Sequence, residues 1–197
     1  MITKVVARDM RNIDPDKPLP HIHQRKIVAQ SKLFKVEQLD LEFSNGATRQ
    51  FERMAGHNRG AVMIVPMLDN DTMVLVREYA AGTHSYQLGF PKGLIDPGET
   101  PLEAANRELQ EEAGYGAESL ETIHEVSMAP TFFNATMTIV VAHNLYEKRL
   151  PGDEPEPLEV VHWPLSEADA LLNRNDFVEA RGIAALLLAQ KWLKERT

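Results

Sequence analysis

The chain of 197 residues contains no cysteine. That excludes a disulfide scaffold, a thiolate metal site and a cysteine nucleophile. Long hydrophobic runs are missing too: the longest apolar stretches, Ala61 to Leu68 and Ile183 to Ala189, fall far short of the ~20 residues a membrane helix needs. The N-terminal stretch carries charges where a signal peptide needs an apolar segment, so the sequence predicts a cytoplasmic protein with no membrane partner. Positive charge is in deficit, with 21 Lys+Arg against 29 Asp+Glu and a formal charge of -8. No nucleic-acid partner is expected of such a balance.

The acidic excess is local. Between Gly93 and Glu125 stand nine acids and a single base, Arg107, so this stretch alone accounts for the net charge. A field of that sign marks either a solvated helix face or a site that holds cations.

Residues 1 to about 30 are polar and dotted with proline (Pro15, Pro18, Pro20) and predict an arm with little regular structure. From Leu33 to Met54 two alternating runs flank Asn45-Gly46, a strong hairpin signal. Strands are expected over Ala61 to Met67, Thr72 to Tyr79, Ser85 to Phe90, Ile123 to Met128, Met137 to Ala142 and Leu158 to Trp163. Helical apolar spacing covers Ser166 to Leu172 and Phe177 to Glu195. The class is mixed α and β, α+β with helices packed on a largely mixed sheet.

The central helix is signalled most clearly. Thr100 is placed as N-cap, Pro101 at the first helical position, Glu103 to close a capping box, and Gly114 as the stop. Leu102, Ala105, Leu109 and Ala113 fall on one face, and Glu108, Glu111 and Glu112 on another. Carboxylates at i, i+3 and i+4 repel one another on a helix, and a hard divalent cation offsets that repulsion. Oxygen ligands without histidine or sulfur select Mg²⁺ or Mn²⁺.

The run from Gly93 to Tyr115, GLIDPGETPLEAANRELQEEAGY, resembles the Nudix box, G-x5-E-x7-R-E-U-x-E-E-x-G-U with U aliphatic. Gly93, Glu99, Arg107, Glu108, Leu109, Glu111, Glu112 and Gly114 match; Tyr115 departs from the last aliphatic position. The resemblance implies an α/β/α sandwich over about residues 58–197, with residues 1–57 as an N-terminal arm and β-hairpin that serves dimerisation. It implies Mg²⁺ (or Mn²⁺) held by Glu108 and Glu112, with Glu111 as a further ligand and catalytic group and a backbone carbonyl of Lys92 or Gly93 completing the set. Arg107 and Glu99 become an orienting ion pair, with Gly93, Glu99 and Gly114 structural.

Pro130, fifteen residues after Tyr115, resembles the marker of the ADP-ribose pyrophosphatase subgroup. The segments LEFSNG, ERM, REYA, LGFPKGLIDPGE and PGDEPEP are similar to those of bacterial ADP compounds hydrolases. That likeness implies cleavage of the pyrophosphate in ADP-ribose, diadenosine polyphosphates or NADH, by a homodimer. Other nucleotide sugars, nucleoside triphosphates or a non-catalytic sensor role are the alternatives. Arg53, Arg59, Arg77 and Lys92 are candidate phosphate or adenine contacts, because pyrophosphate calls for forked donors or point cations. The proline-rich stretch Leu150 to Pro157 is incompatible with a helix or a central strand. By resemblance it is the loop that carries a general base, Glu154, and a further metal ligand, Glu156.

Overall fold

The computed structural model describes residues 16–56 and 59–196. The chain divides after Ala55 into two compact units.

The first unit is an antiparallel sheet of β1 (His21–Gln30), β2 (Lys35–Glu42) and β3 (Thr48–Met54), in that order. The expected hairpin is β2–β3. Gly46 takes the left-handed φ of 78° that its turn requires, and Asn45 Oδ1 accepts from the Ala47 amide at 3.0 Å. The expected irregular arm to residue 30 is corrected by β1, whose polar sequence becomes a strand by pairing with β2, with two register shifts. Strand formation here is set by the neighbour more than by intrinsic preference. Residues 1–15 of that arm lie outside the described residues. Only Leu39 is buried among the described residues of this unit, while Ile27, Val28, Leu33, Phe34 and Phe51 are exposed.

The second unit holds two sheets. One has the order β7 (Lys92–Leu94), β4 (Ala61–Pro66), β9 (Thr136–Glu147), β8 (Tyr115–Ser127), with β4 and β9 parallel and the other pairs antiparallel. The other is antiparallel, ordered β10 (Glu159–Pro164), β5 (Thr72–Ala80), β6 (Ser85–Gly89). β8 begins at Tyr115, eight residues before the expected strand. Its first half is an edge strand bearing Glu118 and Glu121, too polar to read as a core strand.

Every residue of β4 is buried. Ala61, Met63 and Val65 face a core shared with Ile139 and Val141 of β9, Leu171 of α2 (Ala168–Leu172) and Ala185, Leu186 and Ala189 of α3 (Ala180–Lys194). Val62 and Ile64 face a second core with Val140, Ala142 and Ala104, Ala105 and Leu109 of the central helix. The period-two alternation of strand side chains thus feeds both layers, producing the α/β/α sandwich. α3 starts at Ala180 instead of Phe177. Phe177 precedes the helix, is buried, and packs edge-on against Phe90 at 6.2 Å. No helix of the described residues is long and apolar enough to cross a membrane.

Candidate active site

The central helix begins as its sequence dictates. Thr100 accepts from the Glu103 amide, Glu103 accepts from the Thr100 amide, and Pro101 opens α1 (Pro101–Glu108). The backbone then widens into a π-helical turn over Leu109–Ala113, closed by Gly114 at φ 77°. This turn was not legible in the sequence, and it moves Glu111 and Glu112 away from their ideal α-helical angles relative to Glu108. Ala105, Leu109 and Ala113 are buried as expected, but Leu102 on the first turn is exposed.

Arg107 organises the acidic loop and the helix together. Its Nε and Nη2 grip Glu99 Oε1 and Oε2 at 2.8 and 2.9 Å, and Nη2 also donates to the Leu94 carbonyl at 2.9 Å. Nη1 bridges Glu108 at 2.7 Å and Glu111 at 2.9 Å. The bond from Arg107 pulls the Glu99 pKa down, and the bond to Glu99 raises that of Arg107. A lysine has no planar fork to span these acceptors.

Glu112 is 5% exposed, and its Oε2 accepts from the Lys92 amide at 3.1 Å. Burial, above all, pushes its pKa up to about 8, and neighbouring Glu108 and Glu78 add to the shift. Glu108 is pushed up to about 7, again chiefly by burial, with Glu111 and Asp153 contributing. Gly93 makes room for Glu108: a Cβ there would lie 2.0 Å from the carboxyl carbon. Gly93→Ala is therefore expected to displace Glu108 at a cost of ~1–3 kcal/mol, read as a lower melting temperature together with weaker cation binding.

These groups line a cavity of about 480 Å³ with Glu78, Lys92, Asp96, Asp153 and Glu154. Among the described residues no three His, Asp or Glu side chains already converge as a ligand set. The Arg107 guanidinium bridges Glu108 and Glu111 there. The fit of a divalent cation rests on the all-oxygen donors, on buried Glu112 and part-buried Glu108 with their raised pKa values, and on the space kept by Gly93.

Glu78, which sequence reasoning passed over, belongs here. Its Oε2 accepts from Lys92 Nζ at 2.5 Å. Burial disfavours the Lys92 ammonium, but the bond to Glu78 and the nearby Glu112 charge hold its pKa above the ordinary lysine value. The signal was available, since REYA was among the segments quoted for the resemblance, but on β5 its glutamate reads as an ordinary solvent-facing residue.

The remaining candidates have partners or settings of their own. Glu154 lines the cavity, its carboxylate close to Gly152. Glu156 accepts from the Tyr86 hydroxyl, whose pKa that bond raises, and lines a neighbouring cavity of about 350 Å³ with Arg77 and Glu154. Arg77 pairs with Glu159 at 3.0 Å. Arg53 is held by Glu37 within the N-terminal sheet at 2.8 Å. Arg59 and Pro130 are exposed, the latter in the turn that also exposes Phe132 and Phe133.

The chain is similar to known proteins over both of its units. Residues 57–186 match the model of the NUDIX domain, and residues 20–53 match that of the NudE-type Nudix hydrolase N-terminal domain. The chain is 57% identical to ADP compounds hydrolase NudE of Escherichia coli K12 over 89% of this chain and 94% of that protein. It is 32% identical to mouse (Mus musculus) ADP-sugar pyrophosphatase over 88% of this chain and 84% of the relative. A crystal structure of an ADP compounds hydrolase superposes with a TM-score of 0.88 at 54% identity, covering 93% of this chain and 98% of the other.

Proposed function

We propose, from the premise that this chain belongs to the Nudix hydrolase family, that it performs Mg²⁺-dependent hydrolysis of the pyrophosphate bond in ADP-linked compounds. ADP-ribose, diadenosine polyphosphates and NADH are the substrates in view, and AMP is a product. The observation that carries the reading is the pair of carboxylates with raised pKa values, buried Glu112 and part-buried Glu108, on a cavity whose other charged groups are Arg107, Lys92 and five further acids, Glu78, Asp96, Glu111, Asp153 and Glu154.

Glu108 and Glu112 would hold the cation, with Glu111 and a backbone carbonyl of Lys92 or Gly93. When bound, the cation neutralises charge developing on the phosphates and acidifies water. The protein's own groups do the rest. Arg107 fixes the loop carrying Glu99 against the helix and keeps Glu108 and Glu111 oriented. Lys92 offers a cation to a phosphate oxygen, offset by Glu78 when substrate is absent. Glu154, which lines the cavity, takes the proton of the attacking water. Arg77 and Arg59 supply donors to the substrate's outer oxygens.

A panel of ADP-ribose, diadenosine polyphosphates, NADH, GDP-mannose and nucleoside triphosphates, each with Mg²⁺, tests the reading. AMP released from the ADP-linked members supports it, while turnover confined to GDP-mannose or triphosphates overturns it.

The exposed apolar residues Leu33, Phe34 and Phe51 of the N-terminal sheet support a further part of the reading, a homodimer. A small sheet with one buried side chain among its described residues is poorly stabilised by its own core, and a symmetric copy is the commonest cover. Light scattering is expected to give about twice the 22.2 kDa chain mass, and a truncation lacking residues 1–56 is expected to run as a monomer. A 22.2 kDa species for the full chain counts against the dimer.

A further inference from the structure

The loop from Leu150 to Leu158 has no regular structure, yet both of its ends are fastened. At its start the Leu150 amide donates to the Gln110 carbonyl of the π-helical turn at 3.1 Å. At its far end the Tyr86 hydroxyl donates to Glu156. Tyr86 is itself braced: the Arg77 guanidinium lies 4.9 Å from the centre of its ring and pairs with Glu159 at 3.0 Å, and Tyr79 packs edge-on at 5.9 Å. Between these two fastenings Glu154 is shared by the acidic cavity and its neighbour.

We propose that Tyr86 is a positioning residue, which through its bond to Glu156 fixes the far end of the 150–158 loop and so presents Glu154 to the acidic cavity. This rests on the hydrolase reading above. Glu156 then works as the loop's tether point, not as a cation ligand. Prolines 151, 155 and 157 restrict the backbone on both sides of Glu154, so a fixed point two residues further on determines where its carboxylate stands. The tethering bond comes from β6, the strand paired with β5, and rigid elements hold a reacting group better than a free loop does.

The test uses the full chain with Mg²⁺ and an ADP-linked substrate, in the wild type, Tyr86→Phe, Glu156→Ala and the double variant. Phenylalanine keeps the ring beneath Arg77 and removes only the hydroxyl. Each single change is expected to lower kcat about tenfold, with KM and the half-saturating Mg²⁺ concentration unmoved, and the double variant is expected to be no worse than either single one. Additive losses overturn the tether, as does full kcat in Tyr86→Phe. A shift in Mg²⁺ dependence for Glu156→Ala alone overturns it too, and assigns Glu156 to the cation. A wild-type enzyme that releases no AMP fails the parent reading instead, before any variant is compared.

Discussion

Glu112→Gln is expected to lower kcat by ~10² to 10³ while the protein remains folded, because the exchange removes a ligand charge and not core volume. The same variant should be more stable than the wild type when no divalent cation is present. Burial holds the Glu112 pKa at about 8 in the folded chain against an ordinary 4.5, so the folded state binds a proton that the unfolded state releases. Stability from this group is complete below about pH 4.5 and is lost as pH rises through about 8. Melting curves of the cation-free wild type should therefore fall over that window, and those of Glu112→Gln should be flatter. Added Mg²⁺ should raise the wild-type curve near neutral pH by mass action, with a smaller rise in the variant. Near wild-type kcat in Glu112→Gln at saturating Mg²⁺ would falsify the ligand assignment.

The second large effect is expected at Glu154. Loss of a general base costs ~10² to 10⁴ in rate, so Glu154→Gln should depress kcat on that scale while the Mg²⁺ concentration at half-maximal rate stays put. The neutral amide keeps the shape of the loop but accepts no proton, which separates proton transfer from positioning. Unimpaired turnover in this variant would move the base elsewhere and leave the 150–158 stretch as a connector.

The helix and its carboxylates were open to sequence reading because the signals there are local. Thr100, Pro101 and Glu103 specify a start that depends on no distant contact, and Gly114 specifies a stop by its left-handed φ. The Asn45-Gly46 turn was legible for the same reason. What was not legible depends on partners remote in sequence. β1 is a strand because β2 lies beside it, and the polar half of β8 is a strand because β9 does. Glu78 joins the site through Lys92, and Glu156 is claimed by Tyr86, seventy positions away. The widening at Leu109–Ala113 alters backbone geometry without any breaker residue to announce it.

The parallel pairing of β4 with β9 has a consequence for the order in which the molecule comes together. Val62 sits opposite Thr138, so closing that pair encloses α1, the loop before it and the whole of β8 inside one long chain segment. Such a non-local closure is slow, since loop entropy must be overcome before the contact yields anything. The carboxylates ride on elements within the enclosed segment, whereas the 150–158 loop lies outside it, fastened afterwards by a few polar bonds. Partial opening under mild denaturant should then release that loop while the central strands stay protected, and hydrolysis should be lost before the fold is.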